Sequence, residues 1–318
     1  MKPNPFSISA EKKNNRTKLR LNLFILLCLL FTFVLFASDP ENKVIVLGIA
    51  QDAGIPQIGC DQQTCRTQHH FVTSLALVSG NALYLFDATP DLREQHRALV
   101  QRYPNLARKN LFDGIFLTHA HMGHYTGLMF LGKESISTDK VPVYCSKEMT
   151  KFLTANAPWS LLVTNRNIEL HPFVSGTAME VGGIQITPIA VPHRKEFSDT
   201  HGFLIRGPKK ALLFIPDIDS WEPVRDVIAK AISSSDFALL DGTFYSGNEL
   251  PGRDIRLVPH PTVESSVRFF GNLPPFSSQI FFIHLNHTNP LLDPGSTESR
   301  AFSRSGYKIA QEWQEFGL

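Results

Sequence analysis

Three histidines, His119, His121 and His124, fall within six residues of the stretch LFDGIFLTHAHMGHYTGLMFL (residues 111–131). Neutral imidazole is a ligand for zinc, iron, nickel and copper alike. A lone histidine is most simply a solvated or core residue, but three at His-x-His-x-x-His behind an apolar run have metal-ligand density. Residues 114–118 (GIFLT) read as a short buried strand and residues 125–131 restart an apolar pattern that suits a helix, so the histidines belong on the turn between them. Side chains two apart at a strand end project the same way. His119 and His121 can therefore close on one ion while His124 approaches from another side.

Other candidate donors follow further apolar runs. Residues 72–79 and 81–88 read as strands joined by a turn at Gly80, and Asp87 ends the second, where an acid can cap a helix over 90–103. Residues 147–162 read as a helix, and a strand over 183–189 leads into AVPHRKEF, which carries His193. The strand at 211–216 (ALLFIP) ends at Asp217, with Asp219 two residues on. A carboxylate there can bridge two cations, or it can cap the helix expected over 221–232. A strand at 237–240 ends in DGTF, and His260 precedes a helix in VPHPTVESSVRFF. The strand at 279–283 ends at His284, with His287 as the fallback donor, and the tail reads as loop plus one amphipathic helix. Nearly every candidate sits at or just past the carboxyl end of an apolar strand, so a layered sheet would bring them to one edge. Cys145, ending a strand over 141–144, is most simply a buried apolar residue.

THAHMGHYTGL resembles the strand-to-helix signature of the metallo-β-lactamase-fold superfamily, usually His-x-His-x-Asp-His, with Gly123 where most members have Asp. The early loop AQDAGIPQIGCDQQTC, together with DGTFYSGNEL and HLNHTNP, is similar to the pyrroloquinoline quinone biosynthesis protein B branch. The blocks around Thr243 and His260 resemble segments of the transfer-RNA 3′-processing nucleases of the same superfamily. The resemblance covers residues 43–311 and implies an αββα fold, two packed β-sheets flanked by helices.

The resemblance further implies a first metal held by His119, His121 and His193 with a position open for water, and a second held by His124, His284 and a shared Asp217. The second site is one ligand short because of Gly123, so one firmly held ion and a weak, absent or substrate-completed second are expected. Asp87 would orient the metal-binding loop, and His260 would donate a proton or steady a developing oxyanion. Zinc is the expected ion, with iron or manganese as alternatives. Cys60 and Cys65 belong to a loop that carries a structural zinc in the related branch, where His69 or His70 could complete the site; a disulfide between them is the open alternative.

The expected function is metal-dependent hydrolysis of an ester or phosphodiester-type small molecule, with Asp217 and His260 in the catalytic machinery and hydroxide made available by the metal. The alternatives are an iron-dependent oxidoreductase-like relative of the cofactor-biosynthesis proteins and a non-catalytic, metal-stabilised binding domain. β-Lactam hydrolysis is disfavoured by Gly123.

The chain has 318 residues, 43% hydrophobic and 19% charged, an ordinary globular balance without repeats or low-complexity tracts. Its net charge of +2 hides an asymmetry. Residues 1–38 hold six Lys or Arg against Glu11 alone, leaving 25 basic against 28 acidic residues elsewhere. No nucleic-acid partner is expected from that remainder. Residues 1–20 read as a basic cytoplasmic tail, residues 21–38 as a transmembrane anchor or signal peptide around an apolar run of 17 residues, and residues 43–318 as the folded domain. The positive-inside rule then places the domain outside the cytoplasm, membrane-anchored or secreted after cleavage.

Overall fold

Strands in this chain are apolar on both faces, which demands cover on both. In β1 (Asn42–Gly48), Val44 and Val46 point one way and Ile45 and Leu47 the other, and all four are fully buried. The computed structural model describes residues 42–107, 109–250 and 258–318, and Asn42–Leu318 form one compact unit. Its first sheet also contains β2 (Ser74–Ser79), β3 (Ala82–Phe86), β4 (Gly114–Phe116), β5 (Val141–Cys145) and β6 (Ile168–Pro172). The second contains β7 (Met179–Val181), β8 (Ile184–Val191), β9 (Thr200–Arg206), β10 (Ala211–Ile215), β11 (Phe237–Asp241), β12 (Gln279–Ile283) and β13 (Lys308–Ile309). A last strand, β14 (Glu315–Gly317), returns to the edge of the first sheet. The orders are β14-β1-β2-β3-β4-β5-β6 and β13-β12-β11-β10-β9-β8-β7.

Between the sheets, Val44, Leu75, Phe86 and Phe116 meet Phe203, Phe214, Leu239 and Phe281. Phe86 stacks on Phe116 at 4.9 Å and meets Phe203 edge-on at 5.3 Å, both within the range of favourable aromatic pairs. The outer face of the first sheet is covered by the helices Leu92–Arg102 and Lys147–Ala155, through Leu92, Leu99, Met149 and Leu153. That of the second is covered by Arg225–Ser233 and Val263–Gly271, through Ile228, Ile232, Val263 and Phe270. This is the four-layer αββα sandwich.

β3 through β6 run parallel, as do β10 through β13, so their carboxyl ends lie along one edge of each sheet. Local expectations needed three corrections. The helix expected over 147–162 is two helices, Lys147–Ala155 and Trp159–Thr164, because Pro158 lacks the amide hydrogen a continuous helix requires. The turn after His121 holds only Met122–Tyr125 as α-helix before a 3-10 segment, Thr126–Leu131. The tail holds one short helix, Thr297–Phe302, but ends in β14, paired with β1, which was not expected.

The membrane expectation is corrected as well. Residues 21–38 lie outside the described residues, and among the described residues no helix is long and apolar enough to cross a membrane. The apolar run at the short limit of a span and the basic residues before it were all that supported a membrane partner, an anchor or signal, and an exported location, and no described helix bears those expectations out.

Candidate metal centre

His119 and His121 follow β4, His124 lies on the short helix Met122–Tyr125, and Asp87 directly follows β3. From the second sheet come His193 after β8, Asp217 after β10, Asp241 at the end of β11 and His284 after β12. Two of these sit in the left-handed backbone region that non-glycine residues rarely adopt, Asp87 with φ 64° and His284 with φ 65°. Each turns its side chain back across the strand ends. His260 stands before the helix Val263–Gly271, whose N-terminus is capped by the Thr262 side chain accepting from Ser265 N.

Four donors converge. His119 Nε2 lies 2.9 Å from His121 Nδ1, which lies 3.1 Å from His193 Nε2. Asp217 Oδ2 is 3.3 Å from His119 Nε2 and 3.2 Å from His193 Nε2. The far nitrogen of each ring fixes its tautomer. His193 Nδ1 donates to Asp219 at 2.6 Å, and His121 Nε2 donates to Glu196 at 3.0 Å. A carboxylate can only accept, so the Thr118 hydroxyl donates to Asp87 at 2.9 Å and accepts from His119 Nδ1 at 3.0 Å. Three bare imidazole lone pairs and a carboxylate oxygen therefore face one another. Such a set needs either a proton or a cation among it, and donors bound tetrahedrally at ~2.0–2.1 Å would stand about 3.3 Å apart.

A second group lies beside the first. His124 Nδ1 donates to Asp87 at 2.7 Å, which leaves Nε2 bare, 3.2 Å from Asp52 Oδ1 and 3.8 Å from Asp217 Oδ2. His284 Nδ1 contacts the Thr243 hydroxyl at 3.0 Å, and that hydroxyl donates to Asp241 at 2.8 Å, repeating the carboxylate–threonine–histidine chain of the first sheet. His284 Nε2 is 3.9 Å from Asp52 Oδ1. Among the described residues, His124 Nε2, His284 Nε2, Asp52 Oδ1 and Asp217 Oδ1 are buried without a hydrogen-bond partner. Buried polar atoms are rarely orphaned, and His124, His284 and Asp52, which each offer a donor within 4.8 Å of the others, fit a cation that they would share.

Charge in the protein alone is balanced internally. Burial works against the ionised form of Asp217, but His260, His119 and His193 hold its carboxyl well below the usual carboxylate range. Burial, with His124 adding to it, pushes His119 well below the ordinary imidazole range. His124 is opposed by burial yet is held well above that range by Asp87 and Asp52. A bound cation would take the place of those protons.

Asp52 was missed by sequence reasoning. His260 Nδ1 is 2.9 Å from Asp241 Oδ2 and 3.3 Å from Asp217 Oδ1, and its ring centroid is 5.6 Å from that of His193, so it walls the same centre. His287 lies instead on a neighbouring cavity of about 440 Å³, lined also by Gln51, Asp52, Phe244 and Glu249. Cys60 and Cys65 form a disulfide, leaving His69 against Phe71 and His70 beside Gln68. Cys145 is free and buried, its thiol pushed up to about 11 by burial.

Residues 83–285 match the beta-lactamase superfamily domain, and the chain belongs to that family, with the metallo-β-lactamase fold. It is similar to the coenzyme PQQ synthesis protein B of Methylococcus capsulatus, 26% identical over 86% of this chain and 99% of the relative, and to that of Xanthomonas euvesicatoria, 25% identical over 87% and 100%. Among solved structures it superposes on zinc-bound PqqB from Methylobacterium extorquens with a TM-score of 0.75 at 21% identity, covering 87% of this chain and 100% of the other. A diphosphatase from the PhnP family follows at 0.62 and 21%, covering 87% and 97%. These structural likenesses are likenesses of fold.

Proposed function

We propose that the chain is a metal-dependent hydrolase acting on an ester or phosphodiester-type small molecule, with His119, His121, His193 and Asp217 as the principal cation site. The observation that carries this is the meeting of three bare imidazole nitrogens and one carboxylate oxygen, each ring held from behind by an oxygen acceptor. The nitrogen-rich set suits zinc; when bound, zinc at such donors polarises an electrophile and lowers the pKa of coordinated water towards ~7.

The protein's own residues do the rest. Asp219, Glu196 and the Asp87–Thr118 pair hold the rings in the donor tautomer. Asp217 spans the principal site and the His124 side, so it can serve both groups of donors. His260 has Nδ1 committed to Asp241, which leaves Nε2 as its working nitrogen, in position to meet charge that develops on a leaving oxygen. The zinc-bound relative of similar fold and the diphosphatase are consistent with this reading, and the likeness to PQQ synthesis proteins keeps an iron-dependent oxidoreductase as the second reading.

The test is turnover of ester and phosphodiester substrates by protein stripped with chelator and reloaded with zinc or ferrous iron. Zinc-restored hydrolysis that is abolished in His193→Ala supports the proposal. Oxygen uptake with ferrous iron and no hydrolysis with either metal would favour the second reading.

A further inference from the structure

The motif's missing carboxylate has a replacement elsewhere in the chain. We propose that the donor of the second cation position has moved from position 123 to Asp52, in the loop after β1, and that Gly123 is the space this exchange requires. The inference rests on the metal reading above and adds a second, firmly held ion to it.

Three observations carry it. A Cβ built on Gly123 would overlap Asp52 Oδ1 and come within 2.6 Å of Asp52 Cα, so no side chain at 123 coexists with Asp52 where it lies. Asp52 Oδ1 stands 3.2 Å from His124 Nε2, yet both atoms, with His284 Nε2, are buried and lack a hydrogen-bond partner among the described residues, as donors around a cation would. The loop is also pinned where a ligand must be. Gln51 N donates to Leu285 O at 2.9 Å, next to His284, Gly54 N donates to Gln51 O at 2.8 Å, and the Gln51 side chain accepts from Asn286 Nδ2. Asp52 is thus presented by backbone tied to the strand end that carries His284, with little ordering left to occur on binding.

The rearrangement changes the expectation drawn from Gly123 alone, because the second position then has His124, His284, Asp52 and the bridging Asp217. The experiment is elemental analysis of zinc per chain after saturation with zinc and dialysis, alongside thermal unfolding of each variant. Wild type is expected to keep two ions, Asp52→Asn one, and the exchange variant Asp52→Gly/Gly123→Asp two again. Gly123→Asp alone is expected to keep one ion and to melt at a lower temperature.

Equal, non-zero zinc counts in wild type and Asp52→Asn would overturn the inference, as would a single ion in wild type; either outcome leaves the His119, His121, His193 site intact. Wild type that keeps no zinc removes the metal reading and this inference together. If Gly123→Asp fails to fold, the exchange variant and Asp52→Asn still decide.

Discussion

At the scale of single residues, the centre depends on oxygen atoms behind the imidazoles as much as on the imidazoles. Asp219 touches no other donor of the principal site except through His193, whose Nδ1 it accepts at 2.6 Å. Asp219→Asn is expected to weaken zinc binding by about 10- to 100-fold with little change in melting temperature of the zinc-free protein, measured by competition with a chelator. Asp87 accepts from Thr118 N, the Thr118 hydroxyl and His124 Nδ1 while fully buried, so Asp87→Ala strands three partners at once. A loss of about 3–5 kcal/mol in denaturant unfolding is expected, the range for removing one side of a buried charged network. The histidines were legible because their spacing is itself unusual. Asp52 was not, since an acid in a loop rich in Gly and Pro has no periodicity to mark it; the signal available was Gly123, which poses the question of where the carboxylate went. Thr118 and Thr243 were passed over because a hydroxyl beside a histidine is common, and only the paired geometry reveals the two matching chains.

At the scale of elements, strands ending on one edge do the positioning, and apolar runs announced those that carry the donors, while β6, β7, β9 and β13 were not legible in the sequence. The boundaries that failed did so for local reasons: Pro158 splits one helix, and the residues after His121 tighten into a 3-10 turn as the chain closes on Ala88, whose amide donates to His124 O. β14 escaped notice because three residues carry too little alternation; its place is set by pairing with β1. Phe203 is the element-scale test. It reaches from the second sheet onto both Phe86 and Phe116, so Phe203→Ala removes contacts that hold the sheets together. We expect a cost of about 3–5 kcal/mol in denaturant unfolding and weakened zinc retention, because the two halves of the donor set come from different sheets.

At the scale of the whole molecule, the sandwich was legible through the resemblance more than through periodicity, which gave only mixed strands and helices. One half-buried acid outside the donor set of the centre gives the molecule a pH signature. Burial pushes Glu312 up to about 7, with Asp91 adding to the shift, while the Phe71 amide hydrogen bond at 2.6 Å and Arg102 act against it. Because its folded pKa lies above the ordinary 4.5, the protonated acid favours the fold. That contribution is complete below pH ~4.5 and is lost as the pH rises through ~7. Glu312→Gln is expected to flatten the fall in melting temperature between pH 5 and 8 and to exceed wild type at pH 8 by at most about 3 kcal/mol. Equal pH profiles would show that Glu312 is not strained.

The central claim is that imidazoles from both sheets gather one cation. X-ray absorption at the zinc edge of the zinc-loaded protein addresses it most directly. We expect a shell of nitrogen and oxygen at ~2.0–2.1 Å with the multiple-scattering pattern of several imidazoles, diminished in His119→Ala. A shell of water oxygens without imidazole scattering, or one unchanged in His119→Ala, would contradict the account.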